Sequence, residues 1–424
     1  MKTLSVVKAA LGGGAAILAA GLLAAPAAHA STGVTVPCKT PALIAAISTA
    51  NSSGGARINL APGCTYHLTA ANNTDPMLGA TGLPVITSRI TLNGFHTTIA
   101  GNNSSFRIFL VTAPGNLTLN RLTITGGNVA APGGGIFNVE GTLTLNHTTV
   151  TGNASGGMMA AGGGIASGTF GTGPIGTTTL NFSQVNGNTT SGSVGGILNH
   201  GGTLILNFSQ VNGNTAAGGG GGIATGTGGM GGPGASKLVL NFSQVNGNTA
   251  NGGPMAGAGG IANGGTAAIK GSVVAGNTAP GAAGGGILNH GVMTITGSRI
   301  SGNTASADSA GDQGIGGGIA NINLGPVAPG AVNGGVLAIT ASQIRGNTAS
   351  GQGGGIFEAT ITPAGPAPGG PLTLTLSQVT GNTADQGGGI FAVPGSPVTL
   401  KVTVIAKNIP DNCAPPGTIP GCKN

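Results

Sequence analysis

A repeat that keeps its phase along most of the chain is the strongest constraint on how this sequence can fold. The motif Leu-Asn-Phe-Ser-Gln-Val-Asn-Gly-Asn-Thr begins at Leu180, Leu206 and Leu240. We number its first residue position 0 and the following residues +1, +2 and so on. An apolar residue recurs at position 0 in ten units: Leu119, Leu145, Leu180, Leu206, Leu240, Ile269, Ile295, Ile339, Leu374 and Leu400. A chain with such a period folds by stacking its repeats on one another.

Other positions of the repeat are equally regular. Position +5 is β-branched in all ten units. Position +8 is Asn in nine of them: Asn153, Asn188, Asn214, Asn248, Asn277, Asn303, Asn347, Asn382 and Asn408. A glycine block that ends in Ile lies between successive units, at Ile136, Ile165, Ile197, Ile223, Ile261, Ile287, Ile319, Ile356 and Ile390. The shortest repeats are 26 residues long and hold three short strand-like runs, which is one turn of a parallel β-solenoid.

The repeat therefore predicts an all-β solenoid. Two less regular turns, at residues 57–60 and 89–102, bring the expected total to about 12, at roughly 4.8 Å per turn. The Leu, Val and Ile rows should fill the interior. Asn at +8 should mark a corner, because Asn tolerates the left-handed conformation and its amide can bond to the Asn of the next turn. The glycine run before each Ile suits a tight corner with positive φ.

Both ends of the solenoid carry segments that could cap it. Thr40 and Pro41 predict a helix start, with Thr40 as N-cap, and Leu43, Ile44, Ile47 and Ala50 predict its apolar stripe. We expect four segments: a signal peptide (residues 1–30), an N-terminal cap with this helix (31–56), the β-helix (57–408) and a C-terminal disulfide cap (409–424). A bare solenoid end would invite edge-to-edge aggregation.

The four cysteines form two local pairs in the sequence. Three disulfide pairings are possible, and proximity favours Cys38 with Cys64 and Cys413 with Cys422. Disulfides there would fasten the turns most prone to fray. Free buried thiols are the alternative.

The start of the chain is typical of a secretory signal peptide. Lys2 and Lys8 precede an apolar run, and Ala28-His29-Ala30 supplies the small residues of a cleavage site. We therefore expect a secreted protein, extracellular or associated with the cell surface; an uncleaved N-terminal anchor is the alternative. No later apolar run would span a membrane. Cleavage near Ser31 would leave 12 basic and 7 acidic residues, a scattered net charge of +5 that argues against nucleic-acid binding.

Two sequence blocks carry a resemblance to known proteins. They are Gly-Gly-Gly-Ile-Phe-Asn at 133–138 and Ser-Gln-Val-Thr-Gly-Asn-Thr-Ala at 377–384. They resemble the repeats of secreted bacterial right-handed parallel β-helix proteins with the pectate-lyase-like fold, and are similar to repeats of chlamydial polymorphic outer-membrane proteins. The resemblance covers about residues 38–424 and implies a right-handed parallel β-helix. It does not imply one function, because that fold hosts lyases, hydrolases and adhesins.

Candidate catalytic groups are scarce. Glycoside hydrolysis needs a pair of carboxylates, and lyase chemistry needs a base with a cation, but only 5% of the residues are charged and no two acids share a row in adjacent turns. Asp308, Asp312 and Glu358 are the weak candidates. Asp308 and Asp312 lie in one connector, where a calcium site is an alternative to an exposed loop. Glu358 begins one of the long, mostly uncharged connectors that we expect to project from one edge.

Three further sequence features, two histidines, a row of Thr residues and the aromatic residues, give no clear sign of a binding or catalytic site. His200 and His290 occupy equivalent places three turns apart, and we expect both to be exposed at the same corner. The outward-facing position before position 0 is Thr in only some of the turns, which is too irregular for an ice-binding surface. The chain has no Trp, one Tyr and 10 Phe, which are few aromatic residues for a platform that stacks on sugars.

Taken together, the sequence predicts a structural or adhesive β-helix that binds a polymer or partner without catalysis. A carbohydrate-active enzyme, a polysaccharide lyase or glycoside hydrolase with an atypical site, is the alternative. We expect no cofactor and no metal ion. The expected partners are cell-wall or extracellular polysaccharide, or a surface protein.

Overall fold

Parallel pairing between equivalent strands of successive turns builds the whole fold. The computed structural model describes residues 33–157, 159–168, 176–226, 236–252, 257–308, 313–323, 335–362 and 365–424. Asp312 and the expected signal peptide of residues 1–30 lie outside these ranges. Leu145 pairs in register with Leu119 of the turn before and Leu180 of the turn after. The predicted parallel β-helix is thereby confirmed.

Each regular turn contributes four short strands, which stack into four faces. The first face carries position 0. Its strands are Val34–Val36, Gly55–Leu60, Arg89–Ser104, Asn116–Val129, Thr142–Asn146, Thr177–Asn181, Thr203–Asn207, Lys237–Asn241, Thr266–Lys270, Val292–Thr296, Val336–Thr340, Leu372–Thr375 and Val398–Lys401. Two of these, Arg89–Ser104 and Asn116–Val129, continue around the corner onto the second face.

The second face carries position +5, and the third consists of two or three residues per turn beyond the Asn corner. Second-face strands are Thr65–His67, Thr149–Thr151, Gln184–Asn186, Gln210–Asn212, Gln244–Asn246, Val273–Ala275, Arg299–Ser301, Gln343–Arg345, Gln378–Thr380 and Val404–Ala406. Third-face strands are Ala154–Ser155, Thr189–Thr190, Thr215–Ala216, Thr249–Ala250, Thr278–Pro280, Thr304–Ser306 and Thr348–Ala349.

The fourth face begins at the Ile that follows each glycine block. Its strands are Phe109–Thr112, Ile136–Val139, Ile165–Gly168, Ile197–His200, Ile223–Thr225, Ile261–Asn263, Ile287–Asn289, Ile319–Asn323, Ile356–Thr362, Ile390–Ala392 and Cys413–Ala414. Two antiparallel pairs depart from the pattern: Asn73–Asp75 with Gly79–Thr81, and Ile356–Thr362 with Gly365–Ala367.

The apolar core is the interior of the helix. Leu204, Leu206, Val211 and Ile223 are fully buried, and their equivalents form continuous rows along the chain. Side chains alternate across a strand, so Leu204 and Leu206 both point inward while Ile205 points out. Burying each such side chain contributes about 2 kcal/mol, and no single turn could enclose them alone.

Two positions of the repeat have a left-handed backbone in all ten units. The first is at +2, where φ is 50° for Phe182 and Phe208. The second is the glycine at +7, where φ is 60° for Gly187. The expectation that Asn at +8 is the left-handed residue is therefore wrong. Glycine takes that conformation because it has no Cβ, which leaves the Asn side chain free to turn inward.

A continuous row of buried Asn side chains follows this corner. The Asn248 Nδ2 donates to the Asn277 Oδ1 and to the Val211 carbonyl, both at 2.9 Å. The Asn248 Oδ1 accepts from the backbone N–H and the Nδ2 of Asn214, also at 2.9 Å. The same side-chain bond joins every successive pair from Asn153 to Asn408. These amides satisfy the corner backbone groups that no strand partner reaches.

The ends of the β-helix are closed differently. A helix, Thr40–Ser52, packs Leu43, Ile47 and Ala50 inward. Its N-cap is Lys39 and not Thr40, because the Thr40 hydroxyl donates to the His67 carbonyl instead. This is the only helix of the described residues, and none there could cross a membrane. At the other end, the Asn412 Oδ1 accepts from the Asn408 Nδ2 at 3.0 Å and so ends the Asn row.

Both disulfides form as favoured by sequence. Cys38 is bonded to Cys64, with Cα atoms 5.6 Å apart, and Cys413 to Cys422, with Cα atoms 6.3 Å apart. One fastens the helix segment to the first turns. The other holds the tail against the last fourth-face strands, where Cys413 pairs with Ile390.

Loss of the N-terminal disulfide should destabilise that end. Its 26-residue separation gives an expected loss of about 3 kcal/mol for the double variant Cys38→Ala and Cys64→Ala. Hydrogen exchange should show faster exchange in residues 33–67 and unchanged exchange in the central turns. Uniformly faster exchange along the whole chain would contradict a local role for this bond.

Candidate functional site

An exposed row of aromatic rings runs along the corner between the first and second faces. Phe182, Phe208 and Phe242 occupy position +2 of three successive turns and are 54, 53 and 61% exposed. Their ring centroids are 5.1 and 5.3 Å apart, with planes within 10° of parallel. His147, one turn earlier, stacks on Phe182 at 5.1 Å. We call these four residues the aromatic strip.

The local backbone explains why these rings face solvent. The left-handed residue at +2 turns the chain outward between two strands, and the next residue, Ser at +3, is buried under it. The Ser209 Oγ donates to the Asn207 carbonyl at 2.8 Å and accepts the Ser183 N–H at 3.1 Å. The serine row therefore fixes the corner, and each ring stands above the ring of the preceding turn.

Uncharged amides flank the aromatic strip on both sides. At +1, each Nδ2 donates to the Oδ1 of the previous turn at 2.7 to 2.9 Å, in the row Asn59, Asn93, Asn120, Asn146, Asn181, Asn207 and Asn241. On the other side, the Asn186 Nδ2 donates to the Gln184 Oε1 at 2.9 Å, and the next two turns repeat this bond. The remaining amide atoms are available to a ligand.

The strip ends at two glycines. Gly271 and Gly297 hold position +2 in the turns after Phe242, and a depression of about 320 Å³ opens there, lined also by Arg299, Ala341 and Gln343. The Phe242 ring lies against Gly271, where an added Cβ would come within 2.7 Å of two ring carbons. Glycine at 271 thus leaves room for the last ring of the strip.

Charge along this corner has one sign. Positions +1, +2, +4 and +6 hold no Asp or Glu in the ten units from Leu119 to Ala406. Basic residues occur on these rows only outside the strip: Arg121, Lys270, Arg299, Arg345 and Lys401. On these rows the turns of Phe182, Phe208 and Phe242 therefore present only aromatic and amide groups, and the His147 turn presents the hydroxyls of Thr149 and Thr151 in place of the Gln and Asn side chains.

Glu358 does not lie in a projecting connector, which corrects the sequence expectation. It is fully buried within the strand Ile356–Thr362 and pairs in register with Asn321 of the previous turn. The Asn321 Nδ2 donates to the Glu358 Oε2 at 2.7 Å. Burial raises the pKa of the Glu358 carboxyl to about 9, so this side chain is a neutral acid near pH 7. Without solvent access it cannot exchange protons with a bound polymer.

The other sequence candidates are not brought together with Glu358. Asp308 follows the third-face strand Thr304–Ser306 and contacts Gly281 of the previous turn, whereas Glu358 lies on the fourth face. Asp312 lies outside the described residues. Within the described ranges, no group of three or more His, Cys, Asp or Glu side chains could hold a metal ion.

Neither His200 nor His290 is fully exposed. The His290 Nδ1 lies 3.0 Å from the Ile322 carbonyl oxygen, and burial lowers the pKa of this imidazole. His200 ends the strand Ile197–His200 and is half-buried. The expectation of two exposed copies at one corner is therefore wrong for both residues, since each is half-buried, and the strand Ile319–Asn323 lies against His290.

Sequence reasoning passed over the aromatic strip. Its signal was present, because Phe occupies the same place in all three copies of the ten-residue motif. The low total of aromatic residues suggested that no stacking platform exists. What matters is that three of the 10 Phe residues fall in one row.

Comparisons with known proteins add little to this picture. No protein-family model matches the chain, and no curated protein matches it. Two solved structures are similar. The A-module of the mannuronan C-5 epimerase of Azotobacter vinelandii is 16% identical, with a TM-score of 0.39 over 89% of this chain and 95% of that one. Tailspike protein 3 of bacteriophage CBA120 is 12% identical, with a TM-score of 0.38 over 87% of this chain and 58% of that one. The fold assignment rests on the strand pairing itself.

Proposed function

We propose that this protein is a secreted or cell-surface β-helix that binds a polymer along its length without cleaving it. The observation that carries the proposal is the aromatic strip with its flanking amide rows. A β-helix repeats its surface chemistry once per turn, so equivalent groups are presented at equal intervals along a line. A ligand that also repeats along a line can contact all of them at once.

The proposal of an extracellular location is supported by the cystines. Both disulfides join the ends of the β-helix to its neighbouring turns, and structural disulfides persist in oxidising compartments. A signal peptide in residues 1–30 remains part of the same proposal. N-terminal sequencing of the exported protein should begin near Ser31, and a protein retained with Met1 would contradict it.

A cleavage assay tests the absence of catalysis. Purified protein is incubated with a panel of neutral and acidic polysaccharides, with and without Ca²⁺, and polymer length is followed by size-exclusion chromatography. The expected result is binding with no shortening. Robust cleavage that Asp308→Asn or Asp312→Ala abolishes would contradict the proposal and support the carbohydrate-active alternative.

A further inference from the structure

We propose that the aromatic strip binds a single chain of an uncharged pyranose polysaccharide, extended along the β-helix axis with one sugar unit per turn. This inference rests on the proposed polymer-binding function and names its ligand class and site. The strip and its amide rows are the binding surface.

The spacing of the rings favours a linear polymer over a globular partner. Adjacent centroids are separated by 5.1, 5.1 and 5.3 Å, so the contacts recur at a nearly constant interval over four turns. A pyranose unit in an extended chain advances by a similar length. The surface of a globular partner has no such repeat, and protein interfaces need an apolar core wider than one ring.

The chemistry of the rows matches a sugar ring. Pyranose rings present apolar C–H groups on their faces and hydroxyls around their edges. The outward edges of the stacked rings can pack against the C–H groups, while the amides of Asn181, Asn207 and Gln210 can donate to and accept from hydroxyls on either side. The three Phe turns repeat this arrangement, and the His147 turn keeps the Asn at +1 but has the hydroxyls of Thr149 and Thr151 on the other side.

The charge distribution favours an uncharged chain. No Lys, Arg, Asp or Glu occupies positions +1, +2, +4 or +6 in the four turns of the strip. A site for an acidic polymer would place a cation beside each unit. The nearest cations of these rows, Arg121 and Lys270, lie one turn beyond either end.

Truncation of the rings tests the site. The triple variant Phe182→Ala, Phe208→Ala and Phe242→Ala should raise the Kd for hydroxyethylcellulose by at least ~thirtyfold, since interface aromatics often contribute over a factor of five each. Its urea midpoint should fall only slightly, because the rings are more than half exposed and none belongs to the buried core. The matched control is Leu376→Ala with Val402→Ala, which truncates side chains at the same repeat position, 59 and 81% exposed, and should leave Kd unchanged.

The alternative outcomes separate this inference from the broader function. The protein could instead bind only carboxymethylcellulose, with an affinity that falls with salt, is lost in Arg299→Gln and is unchanged in the ring variants. That result would overturn the inference and leave the proposed polymer binding intact. Binding to a cell-surface protein with no affinity for hydroxyethylcellulose or glucomannan would also overturn it. Failure to bind any polymer or partner would overturn both.

A glycine pair provides a second test that keeps all the rings. Gly271 and Gly297 share a φ of +56°, but an added Cβ meets the Phe242 ring only at Gly271 and meets nothing within 4 Å at Gly297. Gly271→Ala should therefore displace the last ring and weaken hydroxyethylcellulose binding about fivefold. Gly297→Ala carries the same backbone strain without the ring contact. Equal affinities of the two variants would contradict a binding role for Phe242.

Discussion

Asn248→Leu is expected to lower the free energy of unfolding by about 3 to 5 kcal/mol. The substitution leaves the Val211 carbonyl and two N–H donors of Asn214 without partners inside the β-helix. Each buried polar group that loses its partner costs about 1 to 3 kcal/mol. Urea denaturation followed by far-ultraviolet circular dichroism measures the change. Leu has the same branching and the same number of side-chain heavy atoms as Asn, so most of the effect reports lost hydrogen bonds.

The matched control lies in the same turn. Gln244→Ala removes an exposed side chain at +4, whose hydrogen bond to Asn246 is at the surface. We expect a change within about 0.5 kcal/mol. A loss below 1 kcal/mol for Asn248→Leu would show that the Asn row is not what stabilises this corner. An equal loss for both variants would point to general sensitivity of the turn.

Glu358→Gln is expected to stabilise the protein at neutral pH. The native carboxyl has a pKa raised to about 9 by burial, against an ordinary value of 4.5, so folding near pH 7 requires it to take up a proton. That uptake costs about 3 kcal/mol at pH 7. Gln keeps an oxygen that accepts from the Asn321 Nδ2 and needs no proton. The free energy of unfolding should therefore rise, but by less than this amount, because the Gln amide nitrogen cannot accept from the Gly370 N–H as a carboxyl oxygen does.

The raised pKa of Glu358 also fixes the direction in which the free energy of unfolding changes with pH. Between about pH 4.5 and 9 the folded chain holds one more proton at this site than the unfolded chain, so wild-type stability falls as pH rises through that window. Glu358→Gln should remove that slope. Denaturation of both proteins at pH 5 and pH 8 measures how the free energy of unfolding of each changes with pH. A variant that is less stable than wild type at pH 8, or that keeps the full slope, would contradict a buried neutral acid.

The fold was predictable because its signal repeats. Leu at position 0, Val at +5 and Asn at +8 recur at fixed spacing, and stacking in register follows directly from that spacing. The corner geometry was harder to predict, since Gly187 and Asn188 are adjacent and both residue types tolerate positive φ. Only the backbone shows that the glycine takes that conformation and the Asn turns inward.

The site was less predictable than the fold. Phe182, Phe208 and Phe242 form a surface only because three turns bring them together, and a composition count cannot show that. Glu358 was misplaced because a long insertion after Ile356 predicts an early departure from the sheet. The chain instead continues as a strand to Thr362 and folds back through Gly365–Ala367, so that the carboxyl is covered.

The most direct test of a polymer-binding β-helix is the affinity for cello-oligosaccharides of increasing length, measured by isothermal titration calorimetry. The ring spacing predicts that affinity rises with each added unit up to about four units, one for each ring of the strip, and then levels off, with the oligosaccharides recovered intact. An affinity independent of length, or recovery of shortened products, would contradict the account.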